Sequence, residues 1–157
     1  MIKPILEWLW IAKPNWTVDR KVSDLTKSEK LLLINLIQEE FDEMKKALME
    51  NDDEMVYDSA VDLIWVASNP IAALGKSAYD KYIDKIRKVE ASNYSKFCET
   101  FLEAEITVGS YKEGSHPSKP GVSIEAVIRD APPYYVVERS DGKILKSINY
   151  SEPEDFE

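Results

Sequence analysis

The chain has 157 residues, of which 44% are hydrophobic and 31% charged, the balance of an ordinary globular protein and not of a disordered one. Its net charge of −9, with no dense patch of lysine and arginine, argues against a nucleic-acid duplex as partner. No apolar run is long enough to cross a bilayer, the N-terminus lacks a signal peptide's basic and apolar regions, and the one cysteine, Cys98, permits no intrachain disulfide, so a reducing cytoplasm is the expected setting.

Residues 1–12, MIKPILEWLWIA, read as a short apolar helix that Lys13-Pro14-Asn15 breaks, because proline lacks a donor and restricts its predecessor. Residues 14–25 read as loop. Thr26-Lys27-Ser28-Glu29 matches a capping box, and a long helix is expected to follow as far as about residue 50. Asn51-Asp52-Asp53 punctuates the chain, and a helix over 53–68 ends or kinks at Asn69-Pro70. A lysine-rich helix is expected over 77–96 and a shorter one over 99–113. Residues 114–121 form a Gly/Pro/Ser linker. Beyond it, 122–128, 134–138 and 143–150 are short β-prone runs, with Asp141-Gly142 as a hairpin turn. The expected fold is mainly α, an antiparallel helical bundle over 1–113, with a small C-terminal β-hairpin in a 114–157 appendage.

The chemistry concentrates in the long helix, where LLLINLIQEEFDEMKKALM (31–49) carries Glu39, Glu40 and Glu43. At about 100° per residue, Glu43 lies about 40° and Glu40 about 100° from Glu39. Leu32, Leu36 and Ala47 fall inside the same arc, and the main apolar stripe of Leu33, Ile37, Phe41, Met44 and Leu48 runs beside it. Three carboxylates are thus aimed at the edge of a core. The next helix sets Asp62 as the only polar group of AVDLIWVA, with Asp58 one turn before it on the same face. An ionised carboxylate costs several kcal/mol to bury alone. Glu39, Glu40, Glu43, Asp58 and Asp62, without a matching arginine or histidine, would repel one another unless cations sit among them. An oxygen-only donor set suits Mg²⁺ or Mn²⁺, which bridge to phosphate oxygens and activate water for attack on phosphorus. Lysines of the following helix, Lys85 and Lys88 among them, are candidates to hold the remaining phosphate charge. The bland reading of E-E-x-x-E is a solvated helix face, and that of Asp62 a capping or lysine-paired acid. His116 and Cys98 have no evident partners. The tryptophans Trp8, Trp10 and Trp65 read as core.

QEEFDEM (38–44) together with DSAVDLIWV (58–66) resembles the all-α nucleoside triphosphate pyrophosphohydrolases, which include MazG-like enzymes, dimeric dUTPases and phosphoribosyl-ATP pyrophosphohydrolase. SNYSKF (92–97) and the closing DGKILKSINYSEP (141–153) resemble segments of the phage and bacterial MazG-like subgroup. One E-E-x-x-E is weak; four elements in the right order are more specific. The resemblance implies a helical bundle, a homodimer or a tetramer, bound Mg²⁺, and cleavage of an NTP or dNTP between the α- and β-phosphates. It further implies Glu39, Glu40, Glu43 and Asp62 as metal ligands, Glu40 or Glu43 positioning or deprotonating the attacking water, and Asn93 and Lys96 on the nucleotide. The family pattern E-x-x-D is broken, since Ser59 stands three residues before Asp62, and Asp58 is the substitute. The rival expectation is a non-catalytic helical interaction module that keeps the fold. A di-iron bundle needs Glu-x-x-His pairs, and one histidine cannot supply them.

Overall fold

The computed structural model describes residues 2–156, and the chain divides into two compact units, 1–83 and 84–157. The helices are α1 (Ile2–Ala12), α2 (Lys27–Glu50), α3 (Asp53–Ala73), α4 (Ala78–Tyr94) and α5 (Phe101–Glu113), and the strands are β1 (Ala126–Ala131) and β2 (Tyr134–Arg139). Five helices and one two-stranded antiparallel sheet give the mainly helical fold with a small C-terminal hairpin that the sequence predicts. Among the described residues, no helix is long and apolar enough to cross a membrane.

In the N-terminal unit, α2 and α3 form an antiparallel pair and α1 packs on α3. The Thr26 hydroxyl accepts from the Glu29 N–H at 3.2 Å while the Glu29 carboxylate accepts from the Thr26 N–H at 2.8 Å, the predicted capping box. Asn51 then takes a left-handed conformation (φ 57°) that ends α2, and the Asp52 side chain caps α3. The core joins Ile5, Leu6 and Leu9 of α1 to Leu33 of α2 and Ala72 and Ala73 of α3, with Trp10 and Trp65 packed against it. Trp8 meets Trp65 edge-on but is half exposed. The segment expected as loop between α1 and α2 contains two short 3-10 turns that bury Trp16 and Leu25.

α3 does not end at Asn69-Pro70 but continues to Ala73. Proline has no N–H to give the Val66 carbonyl one turn back, and the buried Asn69 amide donates to that oxygen instead, at 3.1 Å. The terminal carbonyls are also satisfied. Trp10 Nε1 donates to Ala72 O at 3.0 Å, and Arg20 reaches Ala73 O through Nε at 3.1 Å and Leu74 O through its backbone N–H at 2.9 Å. Gly75 follows with φ +99°; a Cβ there would stand 2.5 Å from Asp19 Cα and 2.6 Å from Val18 O.

In the C-terminal unit, α5 packs against both strands around Cys98, Ala104, Tyr111, Val137 and Leu145. That packing ties the hairpin to α5, so the division of the chain falls within α4 and not at the 114–121 linker. The hairpin turn is also placed differently from expectation. Ala131 pairs with Tyr134 across Pro132-Pro133, and the ladder runs back to Ala126 opposite Arg139. Asp141-Gly142 does make a turn, with Gly142 at φ +81° and the Arg139 N–H bonded to Lys143 O at 2.9 Å. Beyond that turn, the returning chain pairs with β2 through a Glu138–Ile144 bridge and a Leu145 N–H to Val137 O bond, and 143–150 forms no regular strand.

Candidate metal centre

Glu40 is half-buried because of its phase on α2. Leu33 and Ala47, the two fully buried residues of that helix, lie seven residues before and after it. Seven residues are about 700°, only about 20° short of two full turns, so the three form one line along the helix. Leu36, Ile37 and Met44, also half-buried, flank that line. The seam facing α3 therefore reads Leu33, Leu36, Ile37, Glu40, Met44, Ala47, with one carboxylate among apolar groups. Phe41 and Leu48, expected in the apolar stripe, are 52% and 59% exposed, because the face that packs into the core is the one along Leu33, Glu40 and Ala47.

Opposite, α3 buries Ser59, Val66 and Ala73, again seven residues apart. The Ser59 hydroxyl donates to Met55 O at 2.7 Å and is 1% exposed. The position where the family pattern places a carboxylate is thus a small buried group turned back on its own helix, where it lets the two helices approach. Asp62, one turn on, stands at the edge of the seam and is exposed, as is Asp58.

Three buried side-chain polar atoms among the described residues have no hydrogen-bond partner, Arg20 Nη2, His116 Nε2 and Glu40 Oε2, and the last belongs to the acidic set. Desolvation, followed by the charges of Glu43, Asp62 and Glu39, pushes the Glu40 carboxyl above the ordinary glutamate range. Glu39, Glu43 and Asp62 are the charges that act on Glu40, and Asp58 is not among them; Glu39 and Glu43, expected at the edge of the core, are exposed, because only Glu40 lies in line with Leu33 and Ala47. Among the described residues, no three acidic, histidine or cysteine side chains close tightly enough to enclose an ion. Charge and an orphaned acceptor fit a cation; the side-chain positions describe an open arrangement.

The residues expected to contact nucleotide lie in the C-terminal unit, and each has a partner there. Lys85 pairs with Glu154, Lys88 approaches Asp84 at 3.6 Å, and Lys96 Nζ donates to Asn93 Oδ1 at 2.6 Å. The first pair joins exposed side chains and is of the kind worth about 0–1 kcal/mol, so these lysines are not locked away. His116, read from the sequence as a loop residue without chemistry, is buried and stacks on Tyr111 with ring centroids 3.9 Å apart. Its Nδ1 accepts from the Ser118 N–H at 3.2 Å, and burial lowers its pKa, consistent with a neutral ring. Alternation of small and polar residues around it hides this role; nothing in SHPSKPG marks the histidine as core. In comparisons with known proteins, no family model matches the chain, and no curated protein or solved structure matches it.

Proposed function

We propose that this chain is a metal-dependent nucleotide pyrophosphohydrolase that cleaves an NTP or dNTP to the monophosphate and pyrophosphate. The observation that carries the reading is Glu40 Oε2, a buried acceptor with no donor, set among three further carboxylates on two packed helices. Such a group is costly unless a cation answers it. Glu39, Glu40, Glu43 and Asp62 would hold Mg²⁺ or Mn²⁺, hard ions that take oxygen donors. When bound, the ion would neutralise phosphate charge and lower the pKa of a water directed at phosphorus. Glu40 or Glu43 would hold that water in line or accept its proton. Asp58, exposed and outside the set that surrounds Glu40, is the weakest candidate ligand.

The apolar surface left on α2 and α3 supports a homodimer. Phe41 and Leu48 on α2, and Tyr57 and Val61 on α3, are all more than half exposed, apolar area that a second copy would remove from water. A second copy laid on that surface would complete a helical bundle around the acids. A non-catalytic interaction module would use the same surface, and metal dependence separates the two readings.

The test is pyrophosphate release from a panel of canonical and modified NTPs and dNTPs with Mg²⁺, Mn²⁺ or EDTA, with Glu43→Gln alongside. Release that requires metal and is lost in the variant is the expected result. No release from any nucleotide by folded protein with metal present overturns the enzyme reading.

A further inference from the structure

The C-terminal unit contains a cavity of about 380 Å³ between the end of α4, the start of α5 and the first residue of β2. Its walls include three aromatic rings. Phe97 is the middle one, with Tyr94 edge-on at 6.0 Å and 87°, and Tyr134 tilted at 5.6 Å and 37°. Rings this close leave no slot for a flat group to slide between them; Tyr94 and Phe97 meet edge to face, and with Tyr134 they form an aromatic corner of the cavity lining. Such a corner suits a rounded head group better than a planar base.

The polar part of the lining has one sign. Glu99 and Glu103 face the cavity with Ser95 and Asn149, and neither lysine, arginine nor histidine lines it. Glu103 is held in place. Its Oε2 accepts from the Glu99 N–H at 2.9 Å, its Oε1 from the Ser147 hydroxyl, and its own N–H is bonded to Thr100 Oγ1 at 3.1 Å. Glu99, by contrast, is exposed and makes no ion pair among the described residues. A fixed carboxylate, a second carboxylate without a cationic partner and three aromatic side chains make an electronegative lining with no counter-charge within it. The volume lies in the range of small-molecule sites and above that of a metal ion.

We infer that this cavity is a binding site for a small organic cation with an alkylammonium head group. Ring quadrupoles attract such a head within about 6 Å of their centroids, and attract a quaternary ammonium in particular. Methyl groups of the head would pack on Phe97 and Tyr134 while Glu99 and Glu103 answer the charge.

The experiment is calorimetric titration of the full chain with choline and, separately, with 3,3-dimethylbutan-1-ol, its neutral isostere, at matched ionic strength. Amide chemical shifts over residues 94–103 locate the site. Saturable choline binding that perturbs those amides, at least about tenfold tighter than the isostere, is expected. Tyr94→Leu and Glu99→Gln, both at exposed positions, should each weaken choline binding several-fold while Cys98, fully buried in the same unit, stays protected from thiol reagents. Absence of saturable choline binding, equal affinity for the isostere, or unchanged affinity in both variants overturns the inference. Glu40→Gln should leave choline binding unaltered, which keeps this site separate from the proposed metal centre.

Discussion

Glu40 makes the metal reading measurable without a substrate. In the absence of an ion, desolvation and the neighbouring acids raise its pKa. A carboxyl raised in the folded state contributes fully below the unfolded value of about 4.5, and that contribution is lost as pH rises through the folded pKa. At neutral pH the ion-free site therefore opposes folding of the N-terminal unit. A divalent cation that binds the folded arrangement alone, as proposed, would reverse the sign. At a concentration about 100 times its dissociation constant, the linkage is worth about 2.7 kcal/mol. For a chain of this size each kcal/mol moves the melting temperature by about 2–4 °C, so Mn²⁺ or Mg²⁺ should raise Tm by at least about 5 °C.

The assay is built into the molecule. All four tryptophans, Trp8, Trp10, Trp16 and Trp65, belong to the N-terminal unit, whereas Cys98 is buried in the C-terminal one. Tryptophan fluorescence during melting thus follows the unit that contains the acids, and thiol accessibility follows the other. The metal-induced rise should appear in the fluorescence melt. Glu40→Gln removes the orphaned charge, so the variant should melt no lower than the parent without metal and lose most of the rise with it. A parent Tm indifferent to excess Mn²⁺ and Mg²⁺, or a variant with the full metal response, would refute the electrostatic argument.

Gly75→Ala should destabilise the N-terminal unit by about 1–3 kcal/mol, since it forces a left-handed φ and a 2.5 Å approach to Asp19 Cα; urea unfolding followed by tryptophan fluorescence reads it. Arg20→Met leaves Ala73 O and Glu29 without their guanidinium donor and should cost about 1.5–3 kcal/mol in the same assay. The buried His116 has a lowered pKa, so the unfolded chain takes up its proton first as pH falls below about 6.5, and folded-state stability falls with it. Urea midpoints read from Cys98 accessibility should accordingly be lower at pH 5.5 than at pH 7.5; equal midpoints would mean that the ring is solvated.

The parts of this fold legible in the sequence are those governed by local rules, and the misreadings arise where distant partners decide. The Thr26–Glu29 box and the Asn51-Asp52 break depend on neighbours within a turn or two, and each forms as the spacing requires; of the three glutamates expected at the core edge only Glu40 is half-buried, while Glu39 and Glu43 are exposed. Heptad spacing of Leu33, Glu40 and Ala47 could have singled out Glu40 as the buried member of the acidic trio, because a residue in line with two core positions shares their environment. The same periodicity places Phe41 and Leu48 with the core, yet both are more than half exposed, since periodicity marks an apolar face without saying what covers it. The β-region is harder for a different reason. Asp141-Gly142 carries the stronger turn signal and does turn, but a turn fixes only direction; the ladder needs partners, and those come from 126–131 across Pro132-Pro133, where neither turn residue has an N–H to give. The aromatic cavity has no periodic signature at all. Tyr94, Phe97 and Tyr134 come from a helix end, a connecting turn and a strand start, and the long-range Cys98–Tyr135 bridge to β2 brings them together. Local chemistry therefore locates the acids in one dimension, and tertiary packing decides which of them is left without a partner.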